Sequence, residues 1–230
     1  MFPSCRKETL SKRVTDTSSF LTPSANIIAH GGDEEIIDTV ERTSERVLNK
    51  ILILFLGIPA VFSLIRAKIV ETVGYFIFWL GGFSPYVYEK IVHQEVPEKT
   101  KLMLSSSIFL HSVLGQFMNF YEKIPFWDKY LHFYGSFVVT YFFYQILTKK
   151  SRYWNEVPGA ILMAFLLGTF SGLLWEIAEF VTDKVVPGYN TQKGLDDTML
   201  DLIFDLLGSY VMAKILYKKK TGHVFWRPRS

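Results

Sequence analysis

The chain has 230 residues, of which 49% are hydrophobic and 16% aromatic, and its mean hydropathy is positive at +0.19. This composition excludes an ordinary soluble two-domain protein and predicts a polytopic membrane protein. The formal net charge of +3 is small and the basic residues lie at segment ends, so we expect no nucleic acid partner.

The N-terminal part of the chain is polar. Residues 1–32 are rich in Ser and Thr and predict a flexible tail, and they lack the sustained apolar core of a cleavable signal peptide. Asp33 is suited to cap a juxtamembrane amphipathic helix over 33–50. We expect a transmembrane helical domain over 51–217 and a basic cytoplasmic tail over 218–230.

Six apolar segments predict an all-α bundle with six membrane spans. The spans are predicted at 51–65, 69–88, 102–120, 127–147, 157–181 and 197–217. The second should be broken near Gly81, Gly82 and Pro85. Basic clusters at 149–152 and 214–220 are expected in the cytoplasm, which places both termini inside an inner or plasma membrane.

Three acids lie on one face of the last predicted span. Asp197, Asp201 and Asp205 are spaced by four residues on an otherwise apolar helix. A charge near the bilayer centre costs about 2.5–3.5 kcal/mol on insertion scales, so each of these carboxylates is a functional-site hypothesis. Asp196 should point about 100° away from Asp197 and be solvated.

The predicted topology brings further ionisable residues to the same outer leaflet. Asp128 and His132 are one turn apart at the start of the fourth span, and Glu176 and Glu179 are one turn apart at the end of the fifth. We therefore expect a polar cavity between the last three spans that opens toward the outer side.

Three chemical interpretations of this cluster stay open. Histidine and carboxylates supply the ligands that a divalent ion such as Zn, Mn, Mg or Fe accepts. The predicted metal ligands are His132, Glu176, Glu179, Asp197, Asp201 and Asp205. Alternatively, carboxylates that cannot all ionise share protons and act in proton relay or acid and base catalysis. The third interpretation is a structural latch between helices.

Weaker candidates lie elsewhere. His111 and Gln116 in the third span are expected to face the same cavity, although a lone histidine on an apolar helix more often bonds a neighbouring carbonyl or serine. Small residues predict close helix contacts at Gly168, Ser171, Gly172 and Gly208. The sequence contains no HExxH, CxxC or GxGxxG motif, which argues against a soluble type of enzyme.

Four motifs carry a resemblance to a known family. They are WDKYLHF at 127–133, WEIAE at 175–179, TQ at 191–192 and DTMLD at 197–201. Over residues 100–215 the chain resembles the YjdF-like bacterial inner-membrane proteins and is more distantly similar to the VanZ-like family. The resemblance implies a small helical membrane protein and little about activity. It marks as site residues Asp128, His132, Glu176, Glu179, Gln192, Asp197 and Asp201.

The chain also departs from that family pattern. Residues 193–196 replace the usual Gly, Asp and Trp between the TQ and DT motifs, and Asp205 stands where an apolar or amide residue is usual. The extra acids favour a cation site.

The leading functional hypothesis is a metal-assisted hydrolase or transferase acting on a lipid-linked or cell-envelope substrate. In it, the catalytic candidates are Asp128, His132, Glu176, Glu179 and Asp201. The alternatives are a small cation- or proton-coupled transporter and a non-catalytic accessory protein. The sequence does not give an oligomeric state.

Overall fold

The computed structural model describes residues 23–150 and 157–222, with side chains over 35–149 and 158–222. In these ranges the chain forms eight α-helices and one π-helix and no strand, as the all-α prediction requires. The helices are α1 (Pro23–Ile65), α2 (Ile69–Gly82), α3 (Ser84–Val92), α4 (Glu98–Phe109), the π-helix (Leu110–Phe117), α5 (Phe120–Lys123), α6 (Trp127–Lys150), α7 (Val157–Val185) and α8 (Leu195–Thr221). Residues 1–22 of the tail predicted for 1–32, residues 151–156, and residues 223–230 of the predicted basic tail lie outside the described residues.

The first helix is longer than the sequence predicted. α1 begins at Pro23, inside the segment predicted as a tail, and continues without a break past residue 50, with Pro59 in its interior. The chain divides into two compact units, Met1–Glu41 and Arg42–Ser230. In the first unit the described side chains, 35–41, are exposed. The other predicted domain boundaries stay predictions.

After α1, the second unit continues with short, interrupted helices. The predicted break in the second span is confirmed, since α2 ends at Gly82 and α3 begins at Ser84 with Pro85 in its first turn, where a missing N–H costs nothing. α4 continues directly into the π-helix, in which each turn contains an extra residue. Such segments are frequent at functional sites.

α6, α7 and α8 pack against one another and form the core. The close approach depends on glycine, as predicted: a Cβ atom on Gly208 would overlap the backbone carbonyl of Phe133, and one on Gly172 would overlap the side chain of Asp205. The apolar part of this core is formed by Tyr144, Ala160, Ile161, Ala164, Met212 and Leu216.

Among the described residues, two helices are long and apolar enough to cross a membrane, over Glu35–Ile65 and Pro158–Val185, and the apolar α2 is shorter. α6 and α8 have 24 and 27 residues, which also suffices for a hydrocarbon layer about 30 Å thick. They are less apolar because they carry the ionisable side chains that meet each other in the core. Many large apolar side chains on α1, α2 and α7 point outward, for example Leu54 and Leu162.

Candidate functional site

A buried lysine lies at the centre of the polar cluster. The ammonium of Lys129, on the first turn of α6, donates hydrogen bonds to Asp128 Oδ2 at 3.2 Å, to Asp201 Oδ2 at 2.9 Å and to Asp197 Oδ1. Only 7% of Lys129 is exposed. Asp197 and Asp201 belong to α8, so the Lys129 ammonium connects the beginning of α6 to the beginning of α8.

His132 lies one turn deeper on α6 and meets Asp205 of α8. Its Nδ1 atom is 3.2 Å from Asp205 Oδ2, and Ser136 donates a hydrogen bond of 2.6 Å to the other oxygen of that carboxylate. In a neutral histidine, a carboxylate that accepts a hydrogen bond from Nδ1–H favours the tautomer in which Nε2 carries a lone pair. Asp205 therefore holds the histidine ready to bind something at Nε2.

Three carboxylate oxygens face the Nε2 atom of His132. They are Glu176 Oε1 at 3.4 Å, Asp201 Oδ1 at 3.7 Å and Asp128 Oδ1 at 3.8 Å. These separations exceed the ~2.7–3.2 Å of ordinary hydrogen bonds. They are close to the roughly 3.3–3.6 Å that separates ligand atoms placed tetrahedrally about an ion at ~2.0–2.2 Å. Nitrogen and oxygen are therefore spaced here like the ligands of one ion.

Two of the carboxylate oxygens that face His132 Nε2 lack a hydrogen bond of good geometry among the described residues. Glu176 Oε1 is buried and has no hydrogen-bond partner among the described residues. Asp201 Oδ1 makes no hydrogen bond of good geometry, but it lies 2.8 Å from the Lys129 ammonium, so its charge is matched. Ligand atoms of Asp128, His132 and Asp201 lie within 4.8 Å of one another. Glu176 does not belong to this group of three, but its Oε1 atom faces the same imidazole nitrogen, while Gln192 and Thr198 bond its carboxylate.

Gln192 orients Glu176 from outside this group. The Gln192 amide donates hydrogen bonds to Glu176 Oε2 at 3.2 Å and to its backbone carbonyl at 3.1 Å. Asp183 fixes the loop that carries Gln192, because its carboxylate accepts hydrogen bonds from the backbone N–H groups of Thr191 and Gln192. With Oε2 engaged in this way, Oε1 is left to face His132.

The remaining predicted site residues lie around this group. Glu179 accepts a 3.0 Å hydrogen bond from Trp175 Nε1 and makes no ion pair with any described residue. His111 Nδ1 is 2.5 Å from the hydroxyl of Tyr121, and Gln116 lies in the π-helix. Asp196 is exposed, as expected.

A cavity of about 390 Å³ adjoins the cluster. The polar side chains that α6 and α8 contribute to its wall are those of His132, Ser136 and Asp205. The rest of the wall is largely apolar and aromatic, and includes Ile77, Phe78, Ile108, His111, Val139 and Trp175. His111 thus lines the predicted cavity, whereas Gln116 does not belong to its lining. On the other side of the cluster, the Asp128 side chain is 23% exposed, so water reaches that side.

The charges of this cluster do not balance. Lys129 and His132 are surrounded by Asp128, Glu176, Asp197, Asp201 and Asp205. Even with a protonated histidine, the carboxylates are in excess. Buried acids in excess need protons or a further cation, because an uncompensated buried charge is strongly destabilising.

Sequence reasoning missed Lys129 as a site residue. A signal for it was present, since Lys129 is three residues before His132 and shares its helix face, beside Asp128 in the same motif. A lysine at the predicted membrane surface is ordinarily an interfacial anchor. Its partners are 68 and 72 residues away in the chain, which spacing alone does not reveal.

Comparison with known proteins places this chain in a family. The family model described as "Predicted membrane protein (DUF2238)" matches residues 48–221. An uncharacterized protein of Thermotoga maritima is 82% identical over 186 residues, which cover 81% of this chain and 97% of that protein. No solved structure matches the chain significantly. Similarity to VanZ stays a prediction, whereas the predicted likeness to YjdF agrees with these matches: the chain belongs to the DUF2238 family of membrane proteins, which is the YjdF family.

Proposed function

We propose that this protein is a metal-dependent hydrolase or transferase of the cell envelope. The divalent ion would be bound by His132 Nε2 with oxygens of Asp128, Glu176 and Asp201. The observation that carries the proposal is the group of three carboxylate oxygens 3.4–3.8 Å from one imidazole nitrogen, of which Glu176 Oε1 has no hydrogen-bond partner among the described residues.

A purely structural latch accounts less well for the same side chains. In a latch each buried carboxylate oxygen should receive a hydrogen bond, since leaving a buried polar atom unsatisfied costs about 1–3 kcal/mol and more when it is charged. Here Glu176 Oε1 lies 3.4 Å from His132 and receives no hydrogen bond from the described part of the chain. An ion between them would satisfy that oxygen and reduce the excess of negative charge.

The surrounding residues fit supporting roles. Asp205 would act as the carboxylate that orients a metal-binding histidine, and Gln192 would orient Glu176. Mixed imidazole and carboxylate ligands suit Zn, Mn or Fe. A bound ion of this kind polarises a phosphoryl or carbonyl oxygen and lowers the pKa of bound water.

The proposed setting is a multi-pass inner membrane protein with six spans and both termini inside. The beginnings of α6 and α8 and the end of α7 would then lie near the outer surface, where Asp128 reaches water. A lipid-linked or other cell-envelope substrate would approach from that side. Basic residues in the last turn of α8, Lys218 to Lys220, support this orientation through the positive-inside rule.

Metal analysis of purified protein tests the proposal. We expect the wild type, equilibrated with Zn²⁺ or Mn²⁺ and desalted, to retain stoichiometric metal. His132→Asn and Glu176→Gln should lose it, and the exposed Asp196→Asn is the matched control that should keep it. Thermal unfolding of each variant shows whether the loss reflects misfolding.

Two results would contradict the proposal. The first is a wild type that binds neither ion. The second is metal content that persists in a folded Glu176→Gln protein. If the protein binds an ion and moves it into proteoliposomes without hydrolysing or transferring any envelope substrate, the ion is cargo and the transporter alternative replaces the enzyme.

A further inference from the structure

The cavity beside the cluster has a wall suited to hydrocarbon. The rings of Phe78, His111 and Trp175 pack together there, with centroids 4.7 Å apart for Phe78 and His111 and 4.9 Å for His111 and Trp175. Ile108 and Val139 extend this surface on α4 and α6. A volume of about 390 Å³ lies in the roughly 300–1,000 Å³ range of small-molecule sites.

The cavity reaches the apolar outer surface of the protein. Ile77 lines it and is also 61% exposed, which points to an opening at α2. Around this opening α2 presents Val73, Phe76 and Leu80 to the outside, and these side chains are 45–53% exposed. In a membrane protein such a surface faces lipid, so the opening would admit a molecule sideways from the bilayer.

The opposite wall of the cavity is the polar cluster itself. His132, Ser136 and Asp205 close the cavity on that side, and Asp128 connects the cluster to water. The cluster thus lies between a hydrocarbon-lined space and an aqueous entrance. A molecule with one apolar chain and a polar end can place its chain in the cavity and its polar end against the cluster.

We propose that the cavity binds one hydrocarbon chain of a lipid substrate, entering from the bilayer at Ile77. The polar end of that lipid then lies against the α6–α8 cluster. This inference rests on the proposed function for the reaction at the polar end. Occupation of the cavity by the chain can be tested without any reaction.

The test uses the wild-type protein in vesicles of phosphatidylethanolamine and phosphatidylglycerol. A small fraction of the phosphatidylglycerol carries a diazirine midway along one acyl chain, and the protein is irradiated, digested and analysed by mass spectrometry. We expect crosslinks at Ser107, Ile108 or Val139, which line the cavity. Lipids that only surround the protein should label outward residues such as Leu162.

Two variants sharpen the result. Val139→Phe fills the cavity and should reduce the internal crosslinks about tenfold, since overpacking excludes a ligand chain. Val87→Phe, an equal change at an outward position of α3 that does not line the cavity, should leave them unchanged. Labelling confined to outward residues overturns the inference, and so do internal crosslinks that persist in a folded Val139→Phe protein.

Metal binding measured on the same samples separates the two proposals. Internal crosslinks in a protein that binds no metal would support the chain site and contradict the metalloenzyme. Stoichiometric metal without internal crosslinks would leave the metal site in place and overturn the chain site.

Discussion

Lys101 and Lys129 are both almost fully buried, with exposed fractions of 5% and 7%, yet their surroundings differ in charge. The Lys101 ammonium lies 2.9 Å from Glu89 and 3.1 Å from Glu98, and Arg46 lies 3.4 Å from Glu98. Two cations therefore meet two anions. Burial lowers the pKa of Lys101, but the hydrogen bonds that it donates to both glutamates, together with their negative charge, raise the pKa by more, so this lysine stays charged.

The cluster around Lys129 has no such balance. Its carboxylates outnumber Lys129 and His132 together, and a buried oxygen of Glu176 has no hydrogen-bond donor. Glu98 Oε2 in the Lys101 cluster also has no hydrogen bond, but two cations already match the charge on that side chain. The balanced cluster needs nothing further to be stable. The acidic one has capacity for another cation, which is what distinguishes a binding site from a latch.

The largest expected effect tests this difference directly. Lys129→Met and Lys101→Met each leave buried carboxylates without their cation and should destabilise the protein by about 3–5 kcal/mol. A saturating divalent ion should restore much of the stability of Lys129→Met, because it can replace the missing charge. It should restore none to Lys101→Met, and unfolding in detergent with and without Zn²⁺ or Mn²⁺ measures both.

Equal responses of the two variants to metal would contradict the comparison. Rescue of both would indicate nonspecific binding to exposed acids. Rescue of neither would indicate that the acids around Lys129 form a latch after all.

A smaller effect, on metal affinity, is expected from substituting Asp205, which lies against His132 Nδ1. Asp205→Asn keeps the shape of the side chain but weakens its hold on His132 Nδ1, and removal of such partners typically lowers metal affinity about 10–100-fold. Isothermal titration of the purified protein measures this loss. Asp196→Asn on the same helix is exposed and should bind metal like the wild type. An unchanged affinity in Asp205→Asn would place the ion elsewhere.

The smallest effect is expected at Glu179. The sequence predicts it as a ligand, but its carboxylate bonds Trp175. Glu179→Gln can keep that hydrogen bond, so its metal affinity should stay within about twofold of the wild type, as for a change worth less than ~0.5 kcal/mol. A large loss, with Glu176→Gln measured beside it, would show that both acids hold the ion.

The helices were predictable because apolar runs and basic ends set their positions. The i, i+4 spacing of Asp197, Asp201 and Asp205 also places them correctly on one face toward α6. Spacing could not decide between Glu176 and Glu179, because residues three apart diverge by about 60° around a helix. That divergence turns one carboxylate toward His132 and the other toward Trp175.

The contacts that define the site depend on how deeply one helix lies against another. Asp205 meets Ser136 and His132 because Gly208 allows α8 to approach the backbone of α6 at Phe133. No periodicity in either segment specifies this relative depth. The continuation of α1 back to Pro23 was also not predicted, because Gly31 and Gly32 are poor helix formers and suggested an end there.

The glycine at 172 has a consequence for side-chain length rather than charge. Asp205 occupies the space that a Cβ atom at Gly172 would need, so the carboxylate lies directly against the backbone of α7. A glutamate at position 205 would carry an extra methylene for which there is no room. The acids of α8 are all aspartates, whereas those of α7 that approach the site are glutamates. The lengths of the acids thus match the separations of the helices. Exchanging the types, Asp205→Glu with Glu176→Asp, would conserve every charge and still misplace both carboxylates.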